Sequence, residues 1–185
     1  MDLSTDHQLM LTVRDGNVQK LGLLFERYHK LLYNFFLKQT GNQQTSEDLV
    51  QEVFLRMLKY RHTYRGVGKF TTWMFQIARN AGVDFFRQQS RYEYQNEEID
   101  QLLSNDPDPD QVLEQESDID ILQKALARLS PEKREVLVLS RFQNLRYQEI
   151  SQILGCKLGT VKARVFRALK DLTKNYFELS GENRP

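Results

Sequence analysis

The sequence predicts an all-α chain: two small helical domains joined by an acidic linker. Apolar residues recur at helical spacing in both halves, and no stretch alternates with the two-residue period of a strand. Charge is divided into three blocks. Residues 1–91 carry thirteen Lys/Arg against eight Asp/Glu, residues 92–120 carry none against eleven, and residues 121–185 carry thirteen against six. The total of +1 therefore conceals net charges of +5, −11 and +7. Two basic blocks suited to a polyanion flank a segment that a polyanion would repel.

In the first block Leu21, Leu24, Phe25, Tyr28, Leu31, Leu32, Phe35 and Phe36 form a helical stripe that ends near Thr40-Gly41-Asn42, where glycine supplies a stop. Thr45-Ser46-Glu47-Asp48 has the pattern of a capping box and predicts the start of a second helix, with Leu49, Val50, Val53 and Met57 facing inward. A glycine-bearing loop, Tyr64-Arg65-Gly66-Val67-Gly68-Lys69, precedes a third helix expected from Thr71 or Thr72 to about Gln89. The first block thus reads as a bundle of three or four helices over residues 5–91.

Residues 92–119 read as the linker. Asn105-Asp106-Pro107-Asp108-Pro109-Asp110 is acidic and carries paired prolines, a poor composition for a core or a continuous helix. Val112, Ile119 and Leu122 leave open that the next helix begins within 111–120. Residues 120–178 form the second predicted domain. Ile121–Leu129 reads as a helix, and Ser130-Pro131-Glu132 offers an N-cap, a first-turn proline and an acid for the positive helix end. The helix that follows runs to about Phe142. Tyr147–Leu154, stopped by Gly155, the turn Cys156-Lys157-Leu158-Gly159 and a last helix from Thr160 to about Phe177 make a helix-turn-helix.

Several classes of function are poorly supported. No apolar run approaches the roughly 20 residues that cross a bilayer, and Met1–Met10 lacks the basic and apolar regions of a signal peptide, so a cytoplasmic protein is expected. The single Cys156 and the scattered His7, His29 and His62 have no metal-ligand spacing, so no metal or cofactor is expected. There is no glycine-rich phosphate loop and no nucleophile-base-acid grouping, so no enzymatic activity is expected.

On the last helix Val161, Val165, Ala168, Leu169 and Leu172 share one arc, which leaves Ala163, Phe166, Arg167 and Lys170 opposite, with Lys162 and Arg164 at the edges. Arginine can present two donors to guanine, lysine suits phosphates, and alanine or phenylalanine can touch a thymine methyl. Thr160 at the helix start joins this candidate surface. The alternative for Phe166 is packing against the other domain or the preceding helix. On the second helix Asp48, Gln51, Glu52 and Leu55 lie opposite the apolar face, an acidic and amide-bearing surface suited to a protein partner or to plain solvent. The third helix is ringed by Phe70, Trp73, Phe75, Phe85 and Phe86, interleaved with Lys69, Arg79, Asn80, Arg87 and Arg91. Rings beside cations suit single-stranded DNA, and the preceding loop could pocket an extruded base. Core packing is the alternative, for Trp73 above all.

Leu129-Ser130-Pro131-Glu132-Lys133-Arg134-Glu135-Val136, Tyr147–Cys156 and Gly159–Arg164 together resemble domain 4 of RNA polymerase sigma factors of the extracytoplasmic-function (ECF) type. Glu47-Asp48-Leu49-Val50-Gln51-Glu52-Val53-Phe54-Leu55-Arg56, Tyr64-Arg65-Gly66 and Phe70–Asn80 resemble sigma domain 2. The resemblance covers roughly residues 5–91 and 120–178. It implies that Lys162, Ala163, Phe166 and Arg167 meet the −35 element and that Arg141 holds the DNA backbone. It further implies that Tyr64, Arg65, Lys69, Phe70, Asn80 and Asp84 recognise and open the −10 element, and that Asp48, Gln51 and Glu52 grip the clamp helices of core RNA polymerase. Promoter DNA and core polymerase are the implied partners, with an anti-sigma factor as the expected kind of controlling partner. Leu158, Ala163, Arg146, Val83 and Asp84 depart from residues common at those positions. The competing reading is a stand-alone helix-turn-helix regulator that binds its operator unaided.

Overall fold

The computed structural model describes residues 5–100 and 118–181, with backbone alone for 93–100. Among them no strand occurs, as the missing two-residue period predicts.

Helix α1 (Asp6–Arg14) opens on a capping box: the Thr5 hydroxyl accepts from the Gln8 N–H, and the Gln8 side chain accepts from the Thr5 N–H. A short turn at Val18–Lys20 leads into α2 (Leu21–Thr40), which ends at Gly41 as the stripe and stop predict. Helix α3 (Gln43–Lys59) begins earlier than its expected cap at Thr45. Asn42 is the N-cap, its side chain accepting from the Thr45 N–H at 2.9 Å, so Thr45 sits inside the first turn. Buried Ser46 donates to the Asn42 carbonyl at 2.6 Å, which pins the start of the helix.

Helix α4 (Phe70–Asp100) exceeds the expected Gln89 end by eleven residues and takes in the first part of the expected linker. Acidic and amide residues tolerate a helix, and the sequence has no proline before Pro107 to stop one. Residues 101–117, the rest of the expected linker apart from its last two, lie outside the described residues.

Helices α1 to α4 enclose one core. Leu9, Met10, Val13, Leu24, Leu32, Phe35, Phe36, Val53, Met57, Met74 and Phe75 are fully or almost fully buried. Phe35 meets Phe36 and Phe75 edge to face at 5.1 and 5.3 Å, packing that adds to simple area burial.

The second bundle begins at α5 (Asp118–Ala127), so Asp118 and Ile119 are helical rather than linker. Helix α6 (Pro131–Leu137) has Pro131 in its first turn and Ser130 at the N-cap position, but the Ser130 side chain makes no cap bond. A wider turn of the same spiral, residues 138–142, follows it. Helix α7 (Tyr147–Leu154) has the predicted bounds. Gly155 adopts φ 61°, the left-handed geometry that ends the helix and that β-carbon-bearing residues disfavour. Helix α8 (Leu158–Ser180) starts two residues before the expected Thr160, which shortens the turn to 155–157. Val136, Leu137, Val138, Leu139, Ile150, Val161, Val165 and Ala168 make the core of this bundle.

The two bundles pack on each other. Helix α7 lies against α4, and the 138–142 turn lies against α2. Arg134 is the central tie: it donates to the carbonyls of Leu126, Ala127 and Leu129 behind α5 and, at 2.6 Å, to the Gln39 carbonyl in the last turn of α2. One cation thereby serves the unpaired carbonyl ends of two helices. Lys38 adds a cation–π contact, 4.7 Å above the Phe142 ring.

Candidate nucleic-acid and polymerase interfaces

The outer face of α8 has the predicted layout. Val161, Val165 and Ala168 are buried, whereas Lys162, Ala163, Arg167 and Lys170 are exposed and Arg164 and Thr160 are half-buried. Phe166 is 71% exposed, so it packs neither on the other bundle nor on the preceding helix. The Arg167 Nε donates to the Ala163 carbonyl at 3.2 Å, which lays the guanidinium along the helix. Arg141 is exposed on the turn before α7. The N-terminus of α7 is held without the usual hydroxyl: Glu149 accepts from the Arg146 N–H at 2.8 Å, half of a capping box.

On α3, Asp48 and Gln51 are exposed, Glu52 is half-buried and Leu55 is 62% exposed. Glu52 is not a free carboxylate. Its Oε1 lies 2.6 Å from Arg56 Nε, and Arg56 Nη1 lies 2.8 Å from Asp84 Oδ2 on α4. Burial acts against the Arg56 charge, but its bonds to Glu52 and Asp84 outweigh that and hold the guanidinium more firmly protonated. Asp84 also pairs with Arg87 at 3.2 Å. It therefore acts first as an α3–α4 brace, a role that its acidity among basic neighbours could have signalled.

The residues expected at the −10 element separate into two layers. Tyr64 is 2% and Phe70 5% exposed; both belong to the core, contrary to a reading in which their rings offer open faces to bases. The Tyr64 ring meets Trp73 at 5.0 Å, Phe70 meets Tyr28 at 5.3 Å, and the Tyr64 hydroxyl shares a 3.0 Å hydrogen bond with His7 Nδ1 on α1. Trp73 is half-buried against this wall. Arg65, Lys69 and Asn80 form the outer layer. Gly66 turns the loop at φ 70°, and a Cβ there would meet the His7 ring at 3.0 Å, so the buried wall fixes the loop from beneath.

The sequence reading missed the ion pairs across the two bundles. Lys69 Nζ lies 2.6 Å from Glu149 Oε1, and Arg79 Nε lies 3.3 Å from Glu135 Oε1. Burial pushes the Glu135 carboxyl up against the opposing pull of Arg79 and Arg164. For Glu149, burial acts in the same sense, but Lys69 and the Arg146 N–H prevail and hold it below the usual carboxylate range. The buried Arg79 Nε has an ion-pair neighbour without hydrogen-bond alignment. These partners are 56 to 80 positions apart, and no local pattern announces them.

Two successive regions of the chain match family models. Residues 24–92 match sigma-70 region 2, and residues 119–172 match sigma-70 region 4. The chain belongs to the sigma-70 family of RNA polymerase sigma factors. It is 29% identical to RNA polymerase sigma factor YlaC of Bacillus subtilis, over 87% of this chain and 94% of that protein. It is 30% identical to ECF RNA polymerase sigma factor SigX of the same organism, over 83% and 81%. Within the family it is of the ECF type, group 4, a factor that directs RNA polymerase to promoters. Its fold is similar to the sigma factor RpoE in complex with the anti-sigma factor NepR from Bartonella quintana, with TM-score 0.66 and 24% identity over 88% of this chain and 98% of that one. It is also similar to CnrH in complex with the cytosolic domain of CnrY, with TM-score 0.69 and 21% identity over 96% and 99%.

Proposed function

We propose that this sigma factor divides its work among three surfaces. The α3 face of Asp48, Gln51, Glu52 and Leu55 docks on the clamp helices of core polymerase. The outer face of α8, with Arg141 beside it, takes the −35 duplex. Arg65, Lys69 and Asn80, supported by Tyr64, Phe70, Trp73 and Asp84, take the −10 strand as it opens. Residues 5–91 and 120–178 act as the two working domains. Synthesis of RNA belongs to the polymerase, and this chain supplies no catalytic group. It works in the cytoplasm, and among the described residues no helix is long and apolar enough to cross a membrane. An anti-sigma factor is its proposed controlling partner.

The observation that carries this reading is the outer face of α8, where exposed Lys162, Arg167 and Lys170 surround Phe166, itself 71% exposed, on the second helix of a helix-turn-helix. Glu52 is a poor single probe because its reversal also breaks the Arg56 pair. Asp48→Lys with Leu55→Asp alters the face without touching the core. Run-off transcription with core polymerase should fall at least tenfold with this variant while its helicity and unfolding midpoint stay unchanged. Full transcription would remove the docking assignment.

A further inference from the structure

The end of α3 reads Lys59-Tyr60-Arg61, a ring between two cations that none of the three surfaces above uses. The backbone at Tyr60 is fixed on both sides. Its N–H donates to the Arg56 carbonyl at 2.8 Å, and its carbonyl accepts from the Thr63 N–H at 2.9 Å and from the Thr63 hydroxyl at 2.7 Å. Arg61 Nη1 donates to the Leu58 carbonyl at 2.9 Å, which satisfies one of the carbonyls left over at the helix end. The side chain, in contrast, is open: the Tyr60 ring is 42% exposed, and the Lys59 ammonium stands over it, 5.5 Å from the ring centre. A ring on a fixed backbone loses little freedom when a planar group stacks on it, and a cation beside it suits the phosphate of a stacked nucleotide.

The ring borders a cleft of about 350 Å³ between α3 and α4, which Arg56, Ile77, Asn80, Val83 and Asp84 also line. That volume lies at the small end of ligand clefts, a size for one planar group. Ile77 and Val83 give it apolar wall, the exposed Asn80 amide offers both a donor and an acceptor to a base edge, and the Arg56–Asp84 pair lines it with fixed charge. Asn80 connects the cleft to the outer −10 layer that it shares with Arg65 and Lys69.

We propose that Tyr60 is the stacking platform for one unstacked base of the opened −10 strand, which enters the α3–α4 cleft against Asn80 while Lys59 faces its phosphate. This rests on the −10 assignment above and extends it from α4 to the end of α3. Stacking tolerates every base, because each has a π-face, so Tyr60 contributes affinity for the open strand rather than base preference. The ring has no such role on a closed duplex, whose bases are stacked on one another. Tyr60 therefore favours the opened promoter over the closed one.

The test uses the full chain with core polymerase. The probe is a −10 non-template oligonucleotide from a promoter selected with the holoenzyme, prepared as a series with one abasic site moved along it. At one position the abasic site should weaken binding to the wild-type holoenzyme at least fivefold. There, Tyr60→Ala should bind the intact and abasic strands equally. Tyr60→Leu keeps an apolar side chain at the helix end without a ring and should behave like Tyr60→Ala, whereas Tyr60→Trp should restore the wild-type pattern. If Tyr60→Ala and Tyr60→Leu keep the wild-type sensitivity at every abasic position, the platform is overturned. A 2-aminopurine at the coupled position should be quenched in the wild-type complex and brighter with Tyr60→Leu. Equal brightness also overturns the platform, and a merely structural role for Tyr60 would leave that signal unmoved. Arg65→Gln with Lys69→Gln should weaken binding of the whole strand several-fold. If it leaves strand affinity intact, the −10 assignment itself fails; if it weakens binding while Tyr60 couples to no position, the platform alone falls.

Discussion

The Arg56 guanidinium on α3 lies 2.8 Å from Asp84 Oδ2 on α4 and ties these two helices of the first bundle together. The same guanidinium holds Glu52 at 2.6 Å, so one cation serves two carboxylates that would otherwise repel across the α3–α4 groove. The pair is partly exposed, which limits its worth to about 1–2 kcal/mol, between an exposed ion pair and a buried one. A double-mutant cycle with Arg56→Met and Asp84→Asn, read by urea unfolding, should show coupling on the order of 1 kcal/mol. Strict additivity would show that the brace carries no stability.

Tyr64 should behave as a core residue. Tyr64→Phe loses only the hydrogen bond to His7 and should cost about 1 kcal/mol of stability while promoter opening is unchanged. Tyr64→Ala should cost about 3–5 kcal/mol and loosen the Gly66 loop. A large loss of promoter opening in Tyr64→Phe, at unchanged stability, would instead place its hydroxyl on the DNA.

Much of this architecture is legible in the sequence because it is local. The α2 stripe with Gly41, the bounds of α7 with Gly155 and the inward face of α8 all follow from helical period and glycine stops. Helix α1 escaped for want of length, although Thr5 and Gln8 signal its start. Asn42 displaced Thr45 as a cap because it directly follows the Gly41 stop. The burial of Tyr64 and Phe70 could not be read, since their rings pack on His7 of α1 and Tyr28 of α2, which are distant in the chain. The pairs Lys69–Glu149 and Arg79–Glu135 are tertiary throughout, and charge counting recorded their signs without their meeting.

Glu135 makes the chain's stability depend on pH in a defined sense. Its carboxyl is raised in the folded chain, so above the ordinary carboxylate value the folded state binds the proton better than the unfolded state. Stability should therefore fall as pH rises from about 4.5 through the raised value. Glu149 is lowered, and its contribution is lost only as pH falls below the ordinary range. Urea midpoints from pH 5 to 7.5 should flatten in Glu135→Gln. An unchanged slope would contradict the burial of this charge.

On α8, Lys162 and Arg167 should fail differently. Lys162→Ala should weaken holoenzyme binding to every promoter alike and reduce the salt slope by about 1, the signature of a phosphate contact. Arg167→Ala should cost about 1–3 kcal/mol on the preferred −35 element and relax preference at one base position. Competition binding across single-base −35 variants separates the two, and a uniform loss from Arg167→Ala would make it a phosphate contact as well.

The central claim is that the two bundles read a promoter only as part of the polymerase. Mobility shift on a promoter selected with the holoenzyme, run with the chain alone and with added core enzyme, tests it most directly. The account predicts a sequence-specific shift only when core polymerase is present. Tight, specific binding by the chain alone would contradict it and favour a stand-alone regulator.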